Sequence, residues 1–269
     1  MGLPSPAPDR VAVVTGASSG IGAAIARELA GRGHGVALVA RSADKLAALA
    51  TELVGTGVRA EALPADLTSP AERAALPGRI AALGLEPVAL VNNAGFSTVG
   101  PVHAADVDRE LALIELDVAA VADLCTRFLP GMLERGRGAL LNVASTAAFQ
   151  PLPGQAAYSA AKAFVLVYTQ SIAGELRGSG VTATALCPGP VRTGFGAAAG
   201  FEPGEAESSL PGFLWVDVRE VARTAVDAMD KGRLVAIPGL ANRATSVLAQ
   251  LTPRSLLLPV VARSHPGLR

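Results

Sequence analysis

The chain has 269 residues, of which 50% are hydrophobic and 17% charged, so it can bury the core of one large or two small globular domains. Its 23 basic and 23 acidic residues cancel, which excludes a surface that as a whole attracts nucleic acid or anionic lipid. Charges, Gly or Pro interrupt every apolar stretch before the roughly 18 to 20 residues needed to span a bilayer. We therefore expect no transmembrane segment and no nucleic-acid partner.

The first residues and the cysteines bear on the cellular compartment. Residues 1–6 contain no basic region followed by an apolar run, and Pro6 stands where a myristoylation signal needs Ser or Thr. Cys125 and Cys187 show neither a CxxC nor a metal-ligand spacing, and the three histidines are far apart, so we expect no disulfide framework and no metal site. These features predict a cytoplasmic protein.

Short β-branched runs alternate with longer segments of helical period, which is typical of a parallel sheet covered by helices on both faces. No linker or repeat divides the pattern, so we predict a single domain over 1–269: an α/β, doubly wound fold with a mainly parallel seven-stranded sheet. The predicted strands are 11–15, 35–40, 58–63, 88–92, 139–144, 181–186 and 234–237. The predicted helices lie near 21–30, 43–54, from 70 onward, and near 106–134, 155–176 and 217–229.

Three segments depart from this alternation. Pro130 inside the long helix predicts a bend or break. The Gly- and Pro-rich segment at 194–212 has no periodicity, and we interpret 194–215 as a substrate lid, with a disordered loop as the alternative. Residues 240–269 predict a helical tail packed on the domain or on a partner, with a membrane-surface role as the alternative. Five large apolar side chains of the lid predict an apolar substrate, with packing of the lid itself or a subunit contact as the alternatives: Phe195, Phe201, Leu210, Phe213 and Trp215.

A glycine-rich turn, TGASSGIG, follows the first strand directly. Gly16 permits a sharp turn, Gly20 lets the backbone approach a pyrophosphate, and Gly22 lets the next helix pack closely on the strand. The amides and dipole of that helix attract a phosphate. A structural turn uses the same residues, but the position between a strand and a helix predicts dinucleotide binding. The candidate contacts are Gly16, Ser18, Ser19, Gly20 and Ile21.

The end of the second strand distinguishes the two nicotinamide dinucleotides. An NAD site offers a carboxylate to the ribose 2′-OH, whereas an NADP site needs a cation for the 2′-phosphate. Here the strand ends in Ala40 and Arg41, with no acidic residue. We therefore predict NADP(H) in preference to NAD(H); the alternative interpretation of Arg41 is a solvated side chain.

Two more segments lie at the carboxyl ends of predicted strands, where ligands bind in such folds. Asp66, with Leu67 beside it, can bind the adenine amino group; the alternative is a cap of the helix that Pro70 opens. The sequence Asn-Asn-Ala-Gly at 92–95 lets a cofactor pass close to the backbone, although an ordinary turn has the same composition. The candidate contacts in it are Asn93, Ala94 and Gly95.

Three residues are candidates for proton transfer. Tyr158 and Lys162 are four positions apart and share one face of a predicted helix. The charge of Lys162 favours a phenolate, so we expect the pKa of Tyr158 to fall from its usual value of about 10 and the phenol to exchange a proton with an alcohol or carbonyl oxygen. Ser145, just past the fifth strand, can orient the same oxygen. The alternatives are a surface Tyr/Lys pair and a capping hydroxyl.

Taken in this order, the motifs resemble the short-chain dehydrogenase/reductase family over about residues 11–193. The resemblance implies a Rossmann fold and an enzyme that transfers hydride between NADP(H) and a small-molecule carbonyl or secondary alcohol. It also implies a homodimer or homotetramer. Tyr158 would be the proton donor, Lys162 would lower its pKa and bind the nicotinamide ribose, and Ser145 would orient the substrate.

The resemblance extends to the sequence PGPVRT at 188–193. There the Val191 backbone and the Thr193 hydroxyl would hold the nicotinamide carboxamide. The two prolines also fit a purely structural turn. The candidate cofactor contacts in this segment are Pro188, Gly189, Val191 and Thr193.

One position departs from the family pattern. The family usually has an asparagine 25 residues after the first Asn of the Asn-Asn-Ala-Gly turn, where it holds a water that relays protons to the lysine; this chain has Asp117. An ionised aspartate accepts a hydrogen bond from such a water but cannot donate one. We expect activity to survive with a perturbed Tyr158/Lys162 balance. The alternative function is a non-catalytic NADP(H)-binding sensor or scaffold of the same fold.

Overall fold

Seven parallel strands form one sheet in the order β3-β2-β1-β4-β5-β6-β7 in the computed structural model, which describes residues 2–199 and 210–264. The middle of the predicted lid, including Phe201, lies outside the described residues. The order reverses between β1 and β4, and both strands direct their carboxyl ends to the same edge of the sheet. The strands are β1 (Arg10–Thr15), β2 (Gly35–Ala40), β3 (Ala60–Pro64), β4 (Glu86–Asn92), β5 (Gly138–Val143), β6 (Val181–Leu186) and β7 (Val235–Ala236).

Helices cover both faces of this sheet, which confirms the predicted doubly wound α/β fold. Three shorter segments matter for the site: a π-helical turn at Glu115–Ala119 and single 3₁₀ turns at Thr146–Phe149 and Gly212–Leu214. The helices are α1 (Gly20–Gly31), α2 (Ala43–Val54), α3 (Pro70–Ala82), α4 (Val107–Ile114), α5 (Ala120–Glu134), α6 (Ala156–Glu175), α7 (Phe195–Ala199), α8 (Val218–Asp230), α9 (Leu240–Leu251) and α10 (Arg254–Ser264).

Two apolar clusters sandwich the sheet. Helices α1, α2 and α8 contribute to one cluster, and α3, α5 and α6 contribute to the other. Along β1 the buried side chains alternate between them: Ala12 and Val14 belong to the first cluster, and Val11 and Val13 to the second. This alternation is why a strand buried on both faces has a continuous apolar sequence.

The long helix is irregular at a different place from the predicted one. We expected a bend or break at Pro130; the helix is not broken there, since α5 continues through Pro130, with Phe128 and Met132 on either side buried in the core. The irregularity lies at Glu115–Ala119, where one π-helical turn joins α4 to α5.

Two predicted strands are shorter than expected, since β3 begins at Ala60 and β7 contains two residues. Within residues 2–199 and 210–264, no helix is long and apolar enough to cross a membrane.

Candidate active site

The glycine-rich turn lies against the Asn-Asn-Ala-Gly turn at the carboxyl edge of the sheet. Gly16 and Gly20 adopt φ values of +64° and +56°, which side chains other than hydrogen disfavour. A Cβ on Gly16 would lie 2.7 Å from Asn93 Nδ2, and a Cβ on Gly20 would lie 3.5 Å from the Thr193 side chain. The structure therefore brings three separately predicted cofactor segments together.

Thr15 joins two of these segments, and the sequence analysis did not single it out. Its Oγ1 accepts hydrogen bonds from the amides of Asn93 (2.9 Å) and Ala94 (3.0 Å) and donates one to the carbonyl of Val91 (3.1 Å). Asn93 Nδ2 donates in turn to the Thr15 carbonyl at 3.0 Å. Its position just before the glycine turn is visible in the sequence, but its hydrogen-bond partners are too distant in the chain to be predicted from it.

The start of α1 fits the pyrophosphate of a dinucleotide. Ser19 is the N-cap, yet among the described residues its side chain makes no capping hydrogen bond, and the first turn has no acidic residue. The first amides of the helix are thus available to an anion, which the helix dipole attracts. The side chains of Ser18 and Ser19 border this turn, while Ile21 packs partly against the core.

Arg41 and Asp66 lie at the ends of neighbouring strands, where the adenosine half of a cofactor would bind. Arg41 is exposed. Asp66 accepts hydrogen bonds from the amide (2.9 Å) and hydroxyl (2.8 Å) of Thr68, and these bonds, together with the Arg41 charge, hold its pKa below its usual value. Ser69, and not Asp66, caps α3, which removes the capping interpretation of Asp66. Leu67 buries its side chain in the core, so only its backbone can face a cofactor.

The three candidates for proton transfer converge beside these turns. Ser145 follows β5 and accepts a hydrogen bond from the Ala147 amide at 3.1 Å, and its side chain interacts with the Tyr158 hydroxyl in the direction that lowers the pKa of the phenol. Lys162, only 5% exposed, donates to the Val143 carbonyl at 3.1 Å, and its Nζ lies 5.7 Å from the centre of the Tyr158 ring. The burial of Lys162 excludes the interpretation as a solvated surface pair.

Asp117 binds this lysine directly. The π-helical turn places Asp117, which is 0% exposed, with its Oδ2 2.9 Å from Lys162 Nζ. Its Oδ1 accepts a hydrogen bond from the Phe96 amide at 3.0 Å. A Cβ on Gly95 would lie 2.8 Å from both carboxylate oxygens, so Gly95, predicted as a cofactor contact, also makes room for Asp117.

The expected fall in the pKa of Tyr158 is wrong for this structure. Burial raises the pKa of the phenol, and although the charge of Lys162 and the hydrogen bond with Ser145 lower it, the carboxylate of Asp117 raises it again, so the net direction is upward. The spacing of Tyr158 and Lys162 reveals the nearby lysine, but it reveals neither the burial of the phenol nor the nearby carboxylate. At neutral pH Tyr158 is therefore a protonated phenol, which suits a proton donor.

Lys162 stays protonated in spite of its burial. Burial lowers the pKa of its ammonium, but the charge of Asp117, whose Oδ2 lies 2.9 Å away, and the charge of Tyr158 more than offset this and raise the pKa above its usual value. For Asp117, burial is the larger influence. It raises the pKa of the carboxyl above its usual value, although Lys162 and the hydrogen bond from the Phe96 amide lower it. The pair is held together by the attraction of two buried charges.

The segment 188–193 is fixed from three sides. The Pro188 carbonyl accepts a hydrogen bond from the Thr146 amide at 2.9 Å, and the Pro190 carbonyl accepts one from the Val216 amide at 3.0 Å. Val191 also forms a parallel bridge with Val216. Backbone contacts therefore hold this loop to Thr146–Phe149 beside Ser145 and to the end of the lid.

Asn242 on α9, which was not among the predicted site residues, holds the 188–193 segment from the third side. A Cβ on Gly189 would collide with its amide, and Asn242 Nδ2 donates to the carbonyls of Leu214 (2.9 Å) and Pro238 (3.3 Å). A polar residue among the apolar residues of the tail was the only sequence signal. The tail thus braces the predicted carboxamide loop and the end of the lid together.

The described parts of the lid bring apolar side chains to the site. The Phe195 ring lies 5.8 Å from the Tyr158 ring, centroid to centroid, in a tilted arrangement. Arg192 lies over the Trp215 ring at 5.3 Å. Phe195 therefore forms an apolar wall next to Tyr158.

Known proteins share both this sequence pattern and this fold. Residues 10–201 match the family described as short chain dehydrogenase. The chain belongs to the short-chain dehydrogenase family. A duck very-long-chain 3-oxoacyl-CoA reductase (Anas platyrhynchos) is 39% identical over 189 residues, which are 68% of this chain but 60% of the duck protein. The chain thus matches less than two thirds of that relative's length.

Two solved structures of short-chain dehydrogenases carry different nicotinamide cofactors. The enzyme from Sphingobium yanoikuyae in complex with NADPH has a TM-score of 0.79 and 36% identity and covers 93% of this chain and 95% of its own. The enzyme from Burkholderia phymatum in complex with NAD has a TM-score of 0.80 and 25% identity and covers 89% of this chain and 92% of its own. These likenesses support a nicotinamide dinucleotide as the cofactor, and they agree with the predicted class of reaction.

Asp117→Asn tests the direct pair within this short-chain dehydrogenase. The carboxylate raises the pKa of both Tyr158 and Lys162, so its removal is expected to lower both while turnover is retained or increased. For alcohol oxidation, which needs the deprotonated phenol, the rising limb of kcat/KM against pH should move to lower pH. Asp108→Asn, which removes an exposed carboxylate from α4, is the control and should leave the profile in place.

Two outcomes would contradict this account of Asp117. An unchanged pH profile would show that its charge does not reach Tyr158. Complete inactivation with the fold intact would instead make the carboxylate essential to the reaction.

Proposed function

We propose that the protein is an NADPH-dependent reductase that converts an apolar ketone to a secondary alcohol and catalyses the reverse oxidation. The observation that carries the proposal is the convergence of Ser145, Tyr158 and Lys162 beside the glycine turn at one edge of the sheet. Family membership supports the same class of reaction.

Each side chain of the site has a separate role in proton transfer. When bound, the nicotinamide ring supplies or accepts the hydride. The hydroxyls of Ser145 and Tyr158 hydrogen-bond the substrate oxygen, and Tyr158 transfers its proton to that oxygen as negative charge develops there. Lys162 stabilises the resulting phenolate, because its ammonium lies beside the ring. Asp117 acts through Lys162, which it holds in place and keeps protonated.

The raised pKa of Tyr158 favours reduction as the direction at neutral pH. A protonated phenol is ready to donate to a carbonyl oxygen, whereas alcohol oxidation needs the phenolate as acceptor. Burial raises this pKa most strongly, and Asp117 adds to the effect. We therefore expect reduction to proceed across the neutral range and oxidation to become faster as the pH rises.

Arg41 supports NADPH in preference to NADH. Its exposed guanidinium stands at the end of β2, where a 2′-phosphate would lie. Arg41→Ala would remove the charged hydrogen bond from the guanidinium to the 2′-phosphate. We therefore expect it to raise KM for NADPH by about tenfold or more and to leave KM for NADH nearly unchanged. Arg223→Ala, which removes an exposed arginine from α8, is the matched control. Equal or better use of NADH by the wild type would overturn the preference.

The apolar wall at Phe195 supports an apolar substrate, in agreement with the acyl substrate for which the duck relative is named. The test is a panel of ketones graded by chain length, with NADPH absorbance followed for the wild type beside Tyr158→Phe. We expect kcat/KM to rise with apolar length. Tight NADPH binding without oxidation of NADPH across the panel would contradict the proposal and favour a sensor or scaffold.

Assembly and location belong to the same proposal. The family resemblance supports a homodimer or homotetramer, and the cysteine pattern, without a CxxC or metal-ligand spacing, supports a reducing cytoplasm. Light scattering of the purified chain tests the assembly, and a monomeric mass at micromolar concentration would contradict it.

A further inference from the structure

Helix α9 presents its large apolar side chains to solvent and buries two polar side chains against the protein. Leu240, Val247, Leu248 and Leu251 are 81%, 53%, 65% and 77% exposed, respectively. Residues 240, 247 and 251 follow the helical repeat and share one face, with 248 beside it. On the opposite face, Asn242 and Ser246 are each 3% exposed. This is the reverse of a helix that covers a core.

Contacts with the rest of the domain hold α9 in this orientation. Besides the two hydrogen bonds of Asn242, Arg243 Nε donates to the Ile237 carbonyl at 2.8 Å. Just after the helix, an Arg254 guanidinium nitrogen donates to the Phe149 carbonyl at 3.0 Å. The helix is therefore anchored with its leucines outward, and α10 adds Leu256 (65% exposed) and Leu258 (43% exposed). We call Leu240, Val247, Leu248, Leu251, Leu256 and Leu258 the apolar tail face.

The charge of this segment complements an anionic surface. From residue 234 to 269 the sequence contains four arginines and no aspartate or glutamate, in a chain whose net charge is zero. A second copy would form a symmetric contact in which the same patch meets itself, so arginines would face arginines without an acidic partner from the segment. An anionic lipid bilayer offers both an apolar layer for leucines and phosphates for arginines.

We propose that the apolar tail face docks the protein on an anionic lipid bilayer. The exposed leucines would lie in the interfacial layer, and the exposed guanidinium groups of Arg243, Arg254 and Arg263, of which the first two also anchor the tail through one nitrogen each, would lie at the phosphates. The helix would lie on the membrane, in agreement with the finding that no described helix is long and apolar enough to span it. The proposal rests on the surface alone and does not require the proposed reaction.

The docked orientation brings the candidate site close to the bilayer. Through Asn242, α9 contacts the Gly212–Leu214 turn at the end of the lid, where Phe213 is 71% exposed. Through Arg254, the tail also contacts Thr146–Phe149, the turn that follows Ser145. Docking would therefore place the described end of the lid near the bilayer.

The test is flotation of the full chain with vesicles of phosphatidylcholine containing about a third phosphatidylglycerol, beside vesicles of phosphatidylcholine alone. We expect the wild type to float with the anionic vesicles, and about 1 M salt to weaken binding. Leu248→Gln/Leu251→Gln should weaken it about tenfold or more, because two buried leucine side chains are lost. Val107→Gln/Leu111→Gln on α4, where the two side chains are 69% and 58% exposed, is the matched control and should bind like the wild type.

Thermal unfolding checks that both double variants fold, and Leu240→Gln serves as an independent change in the tail face. Three results would overturn the proposal. The wild type could fail to float, the tail variants could bind as tightly as the control, or neutral vesicles could bind as well as anionic ones. A dimer that dissociates in the Leu248→Gln/Leu251→Gln variant, without any vesicle binding, would show that a second copy covers this face.

Discussion

Tyr158→Phe is expected to lower turnover by about a hundred- to ten-thousand-fold while the Kd for NADPH stays unchanged. The substitution removes the hydroxyl that reaches Ser145 and keeps the ring that contacts Phe195. Proton transfer is therefore lost without a change in packing. Steady-state kinetics with an active ketone, together with a fluorescence titration of NADPH, measure the two quantities separately.

The chain supplies its own control for this experiment. Tyr168, its other tyrosine, lies on the same helix and stacks on Phe164 at 5.2 Å, on a part of α6 that does not reach Ser145. Tyr168→Phe should leave turnover close to the wild-type value. If Tyr158→Phe kept turnover within about tenfold of the wild type, another group would be the proton donor.

Lys162→Met is expected to have the largest effect on stability, lowering the free energy of unfolding by about 3–5 kcal/mol at pH 7. It leaves the fully buried carboxylate of Asp117 without its counter-charge. The double variant Asp117→Asn/Lys162→Met removes both charges and should recover most of the loss. Arg27→Met breaks an ion pair with Glu52 in which both side chains are about half exposed, and should cost at most about 1 kcal/mol.

The deficit of Lys162→Met should also shrink in acid. Burial holds the pKa of the Asp117 carboxyl in the folded protein above its value in the unfolded chain. The folded variant therefore binds this proton more tightly than the unfolded one, so its stability relative to the wild type rises as the pH falls through the folded-state pKa. Urea unfolding at several pH values measures this trend; a constant deficit would mean that lost packing, and not an unpaired charge, causes it.

The parts of the fold that the sequence predicts well are those that depend on neighbours along the chain. Buried strands such as β1 have continuous apolar sequences, and the glycines of the following turn occupy the left-handed conformations that their residue type suggests. The Tyr158/Lys162 pair is predictable for the same reason, because four positions on a helix fix which side chains are adjacent.

The parts that the sequence does not predict depend on contacts between distant segments. Asp117 is visible as a departure from the family pattern, but only the fold shows that its carboxylate reaches Lys162 directly. The direction of the pKa shift of Tyr158 depends on burial, which no local spacing reveals. Asn242 acts on a loop that precedes it by some fifty residues, and a single polar residue in a tail gives no hint of that contact.

The π-helical turn sets the rotational phase between α4 and α5. Each residue advances an α-helix by about 100°. A π-helical hydrogen bond spans five residues where an α-helical one spans four, so the extra residue rotates α5 relative to α4 by roughly that angle. Deleting one residue from Glu115–Ala119 would bring both halves into a common phase and rotate the aspartate away from its lysine. The number of residues in this turn therefore constrains the proposed proton transfer as strictly as the identity of Tyr158 and Lys162 does, even though no residue of the turn needs to touch the substrate.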